Sequence, residues 1–143
     1  MSWLSRLLGG DAAPKGGRVD YAAEARALER QGDLDAALTS YRLALRDRPD
    51  DTDVLQAMAI AYSRTNRPEE AMRCYRRALD VDPRLAGAHY GLAFLLLKRQ
   101  DGAAAADHLR AFLADPPRGA DAAAHVQHAE ATLRALETGA DAT

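Results

Sequence analysis

Proline recurs in this chain at Pro49, Pro83 and Pro117, two equal steps along the sequence. Four further columns keep the same period: Ala37, Ala71 and Ala105; Leu45, Leu79 and Leu113; Tyr41, Tyr75 and Leu109; Ala44, Ala78 and Phe112. A period of roughly 34 residues means stacked copies of one small unit, because a unit this short buries its apolar face only against its neighbours.

Each unit reads as two helices. The first run near 20–31, 52–65 and 86–99, and the second near 34–47, 68–81 and 102–114. Alanine is abundant while aromatic residues make up only 6%, and alanine gives up no side-chain entropy in a helix. Between the helices of each pair stand Gly32, Asn66 and Gln100 at equivalent positions. Glycine and asparagine tolerate the left-handed conformation that ends a helix, and glutamine does so less well. A strained or altered turn is therefore expected in the third unit. Pro68 suits the first turn of its helix, and the three periodic prolines close the second helices, since the residue before a proline avoids helical geometry.

Ala25, Ala59 and Ala93 in the first helices oppose Ala37, Ala71 and Ala105 in the second. Large residues (Leu28, Tyr62, Leu96, and the Tyr41 column) fill the space beside each small contact. This pattern over about 18–117 resembles the tetratricopeptide-repeat (TPR) family. The resemblance implies an all-α, right-handed solenoid of three helix pairs. Phe112 stands where the pattern has alanine, so the end of the third unit is expected to pack differently on the next segment. That segment, residues 119–137, carries Val126, Ala129, Leu133 and Leu136 on one helical face. It reads as a seventh helix capping the stack, with Asp121 as its N-cap or first-turn acid, and residues 138–143 as a loose tail.

In TPR-like stacks the first helices line a concave groove that holds ligand peptides. Carried over position by position, the groove is Arg26, Glu29 and Arg30 from the first unit. The second gives Gln56, Ile60, Ser63 and Arg64, and the third Tyr90, Phe94, Leu97 and Lys98. Tyr90, Phe94 and Leu97 are large side chains that packing between the paired helices does not call for. An exposed apolar strip with a polar rim marks an interaction site, and arginine pairs with carboxylates in a fork. The expected ligand is a protein or peptide with apolar anchors and acidic character. Solvated helix surface is the competing reading for each basic residue alone, and a place under the seventh helix is the competing reading for Phe94. At the positions of the lysine–asparagine–arginine clamp on terminal carboxylates stand Ala22, Arg26, Ala57, Gly87 and Gly91. Arg26 alone could serve, so a chaperone-tail receptor of that type is not expected.

Trp3, Leu4, Leu7 and Leu8 share one face of a short amphipathic head, and Gly9–Gly17 has linker composition. Residues 1–17 read as an arm, with membrane contact, partner docking, folding back on the groove and simple fraying all open. Arg6 interrupts the apolar run, which is too short for a secretory signal, and no stretch approaches the roughly 20 apolar residues of a spanning helix. A cytoplasmic protein, with peripheral membrane contact left open, is the expectation. A net charge of −2 argues against nucleic acid, whose binders carry a basic excess.

No cofactor, metal or catalytic residue is expected. The chain has one cysteine, Cys74, which reads as a small buried hydrophobe. It has no phosphate loop, nucleophile elbow or zinc-protease motif. His125 and His128 share a helix face without a convincing third ligand nearby. The reading is an adaptor or assembly factor. The alternative is an accessory subunit docked through the arm and convex face, and self-association through the stack's edges stays open.

Overall fold

The computed structural model describes residues 18–139. The expected docking residues Trp3, Leu4, Leu7 and Leu8, with the whole arm and the end of the tail, lie outside the described residues. Within them the chain forms seven helices: α1 Tyr21–Arg30, α2 Leu34–Asp47, α3 Thr52–Arg64, α4 Pro68–Val81, α5 Ala86–Lys98, α6 Gly102–Ala114 and α7 Ala120–Thr138. Helices α1 and α2, α3 and α4, and α5 and α6 pack as pairs; α2 meets α3, α4 meets α5, and α7 lies against α6. The result is an all-α solenoid.

Local chemistry sets the boundaries. The carboxylates of Asp20, Asp33, Asp51 and Asp101 each accept a hydrogen bond from the backbone amide three residues on, at 3.0–3.2 Å. Each such cap is worth about 1 kcal/mol against alanine. Helix α4 lacks a side-chain cap at Arg67 and starts instead on Pro68, which has no amide hydrogen to satisfy. Asp121 falls in the first turn of α7, behind Gly119 at the N-cap.

The turn inside each pair is the same in all three units. Gly32, Asn66 and Gln100 have φ of +83°, +59° and +62°. The next amide reaches back five residues to a helix carbonyl: Asp33 to Leu28 at 2.9 Å, Arg67 to Tyr62 at 2.8 Å and Asp101 to Leu96 at 3.0 Å. These bonds satisfy carbonyls that the helix end leaves open. The third turn is thus unaltered, and Gln100 adopts the unfavourable conformation to keep it.

Packing follows the small-residue columns. Ala25, Ala59, Ala93, Ala37, Ala71 and Ala105 are all fully buried, and so are Tyr41 and Leu109, with Tyr75 close behind. The core divides in two. A long cluster runs through all three units, and a terminal one gathers Ala93, Leu109, Phe112 and Ala129, with Val126, Leu133 and Leu136 packed against it. Phe112 explains the division. Where Ala44 and Ala78 stand in earlier units, its ring fills the wedge between the last pair and α7. Gly91 answers a second crowding problem, because a Cβ there would lie 2.4 Å from the ring carbon and hydroxyl of Tyr75.

Two substitutions probe these contacts in chemical melts. Gln100→Gly should raise the unfolding free energy by about 1 kcal/mol by relieving the left-handed residue. Gly91→Ala should lower it by roughly 1–3 kcal/mol despite alanine's better helix propensity, because the tyrosine ring must move.

Candidate partner-binding face

Residues four apart on a helix share a face, and the expected site residues fall into three such columns. They are Arg26 and Arg30 on α1, Gln56, Ile60 and Arg64 on α3, and Tyr90, Phe94 and Lys98 on α5. Arg26, Arg30, Ile60, Ser63, Arg64 and Lys98 are exposed, whereas Glu29, Gln56, Tyr90, Phe94 and Leu97 are half-buried. Ile60, at 48% relative exposure, is one of three large apolar side chains left this open among the described residues.

Three polar members are engaged within the fold. The Tyr41 hydroxyl donates to Glu29 Oε2 at 2.7 Å, and burial together with that carboxylate pushes the phenol's pKa above its usual range. Ser63 donates to the Ala59 carbonyl at 2.9 Å, and the Gln56 amide donates to the Thr52 carbonyl at 3.3 Å. Among the described residues Arg67, Arg73, Arg84, Arg99 and Arg110 form ion pairs with carboxylates. Arg26, Arg30, Arg64 and Lys98 are in none of them. Their charge is left facing solvent.

The aromatic end of the face has a second role. His128 of α7 stacks on Phe94, with centroids 4.6 Å apart and planes 9° from parallel, and its Nδ1 lies 2.9 Å from the Tyr90 hydroxyl. His125 meets the Tyr90 ring edge-on at 5.1 Å, and Phe112 approaches the same ring at 5.1 Å. Tyr90 and Phe94 therefore do serve packing, between α5 and α7 rather than within the helix pair. The two histidines join the face, a place that their own positions in the chain do not announce. Their spacing of three on α7, opposite surplus aromatic rings on α5, was the available signal. Beside them, Leu97, Ala131, Thr132, Ala135 and Leu136 line a shallow cleft of about 310 Å³.

The other two histidines form a pair away from this face. His89 Nε2 lies 2.7 Å from the Pro83 carbonyl, which can only accept, so Nε2 carries a hydrogen. Neutral His89 then accepts at Nδ1 from His108 Nδ1–H, 3.0 Å away. Burial, followed by the nearby His89 and Arg76, lowers the His108 pKa against the opposing pull of Asp107. Burial also raises the Cys74 thiol pKa, so that half-buried side chain behaves as packing. Among the described residues no three His, Cys, Asp or Glu side chains gather as metal ligands.

Fold and face together define a helical-repeat scaffold with an open, cation-bearing surface. Models of the tetratricopeptide repeat match residues 28–84 and 57–123, and the chain belongs to the tetratricopeptide-repeat family. Membership gives it a role in protein–protein interaction. A peroxisomal targeting signal receptor of Eremothecium gossypii is 34% identical over 77 residues, which is 54% of this chain and 14% of the receptor. The chain thus spans about one seventh of that curated relative. Among solved structures, the TPR2B domain of yeast Sti1 in its pHsp70 complex superposes with a TM-score of 0.70 at 18% identity, covering 85% of this chain and 99% of that one. The Yersinia enterocolitica type III secretion chaperone SycD, in complex with a peptide of the translocator YopD, gives 0.76 at 12% identity, covering 85% and 92%. At those identities the structures show the fold.

Because the folded-state pKa of His108 is depressed, the unfolded chain takes up the proton first. Stability is full above pH about 6.5 and falls as pH drops below it. His108→Ser, the residue unit one has at this register (Ser40), should flatten that slope in melting temperature against pH. Phe94→Ala should cost about 2 kcal/mol, below the range for a fully buried ring, and hydrogen exchange should locate the loss in α7.

Proposed function

We propose that the face of α1, α3 and α5 binds a protein partner through an extended peptide with acidic and apolar side chains, making the chain an adaptor or assembly factor. The observation that carries this is the coexistence, on one face, of an open Ile60 with four exposed cations that are in no ion pair among the described residues. Elsewhere Arg67 pairs with Asp35 and Arg99 with Glu69 across the unit junctions. Arg26, Arg30, Arg64 and Lys98 are in none of the ion pairs among the described residues, and arginine matches the fork geometry of a carboxylate.

The apolar component is graded along the stack. The register that holds Arg26 in the first unit holds Ile60 in the second and Phe94 in the third. Glu29, Ser63 and Leu97 form a parallel series. Both series run from charged to apolar toward α7, where the cleft of about 310 Å³ continues the surface. A partner would place its acidic end over α1 and its apolar end between α5 and α7. The YopD-peptide complex of SycD lends support by analogy of fold.

Ile60 is the cleaner probe of this surface, because Phe94 also holds α7. An Ile60→Asp, Arg64→Glu double variant should keep its helical circular dichroism and melting temperature while losing, in a lysate pull-down, the partner captured by the wild type. A still-folded variant that retains the partner would move the binding surface elsewhere on the chain. Captured complexes should also weaken as salt rises from about 50 to about 500 mM, since exposed pairs are screened.

A further inference from the structure

Two loops join the three helix pairs, α2 to α3 and α4 to α5, and each presents the carbonyl of a periodic proline. The Pro49 carbonyl accepts from the Arg77 guanidinium at 2.9 Å. The Pro83 carbonyl, at the same register in the second loop, lies 2.7 Å from His89 Nε2. The change of donor is written in the repeat. One period on from Arg77 stands Ala111, which has no side-chain donor, and one period on from the buried Leu55 stands His89.

The two donors differ in kind. Arginine keeps its charge and its five N–H donors throughout the working range of pH, whereas histidine titrates within it. His89 is also half of a bridge, its Nδ1 lying 3.0 Å from His108 Nδ1 with the ring centroids 5.3 Å apart, so the two nitrogens face each other. Hydrogen bonds then run in series from His108 to His89 and from His89 to the Pro83 carbonyl. A first added proton can sit on the other nitrogen of His108 and leave the bridge in place. A second has to sit on His89 Nδ1, where two N–H groups then oppose each other with no acceptor between them. Arg76 on α4 and His89 on α5 oppose protonation of His108, as burial does, while Asp107 on its own helix favours it. Arg84 and Asp115 pair across the neighbouring loops at 3.3 Å.

We infer that the junction between the second and third units is a pH-sensitive joint, packed while the His89–His108 bridge is intact and loosened when acid protonates both rings, whereas the junction tied by Arg77 is insensitive to acid. The bridge forms with both rings neutral, so its contribution is present above the usual imidazole range and lost as pH falls through it. Helix α5 carries Tyr90, Phe94 and Lys98, and a loosened joint would shift that column against those of α1 and α3. The joint is independent of the proposed function: it can yield to acid whether or not the face holds a partner.

Amide hydrogen exchange on the full chain, followed residue by residue by NMR, tests this with one junction as the reference for the other. The amides of Leu55 and His89 bond at equivalent places, to the Asp51 and Leu85 carbonyls. Protection factors, which divide out the intrinsic pH dependence of exchange, are compared at about pH 7.5 and about pH 5.0, on either side of the usual imidazole range and above that of aspartate. Protection at His89 should fall about tenfold more than at Leu55, the size of one net hydrogen bond. A His89→Leu, His108→Ser variant, built from the residues that other units carry at these registers (Leu55 and Ser40), should lose that difference. Arg77→Ala should lower protection at Leu55 by the same factor at both pH values. Equal losses at the two junctions in the wild type, or a difference that persists in the double variant, would overturn the inference. So would an Arg77→Ala variant with unchanged protection at Leu55, because a bond to the proline carbonyl would then hold no junction.

Discussion

The close approach of paired helices at alanine is the constraint on which everything else depends. Ala25, Ala59 and Ala93 on the first helices and Ala37, Ala71 and Ala105 on the second are fully buried, and with so little side-chain bulk between them the helices can lie near enough for Tyr41, Tyr75 and Leu109 to fill the flanks. Because the same contact recurs in every unit, the rotation from one unit to the next recurs with it. The first helices then share one surface and the second helices another. Any residue at a given register is carried to an equivalent place on that surface, so a sequence period becomes a spatial one.

Much of this was readable from residue spacing alone. The seven helices, their pairing and the capping role of α7 follow from the prolines, the small-residue columns and the Val126–Leu136 stripe. These features act locally, or between neighbours in sequence, and a repeat shows the same local choice three times. The turn at Gln100 shows where local preference was overruled. The residue disfavours a positive φ, yet the long amide bond from Asp101 to Leu96 and the packing of α5 on α6 hold it there.

The face was less legible, for a physical reason. Periodicity says which side of α5 carries Tyr90 and Phe94, but the crossing position of α7 decides which of their atoms are covered. That position depends on Phe112 and on contacts between residues far apart in the chain, such as Phe94 with His128 and Tyr90 with His128. Nor does a sequence reveal which cations are neutralised. Arg64 and Arg67 look alike in the chain, and only the fold shows that Asp35 comes within 2.9 Å of the second.

The stacking of His128 on Phe94 gives the C-terminal helix a stake in whatever touches that ring. An imidazole and a ligand side chain approaching the same phenyl group are thermodynamically linked, each altering the other's affinity by the same factor. A guest that packs along the ring's free edge would clamp α7 in place, whereas one that needs the stacked face would have to pry it loose. A partner bound as proposed would therefore alter how firmly the terminal helix holds to the core.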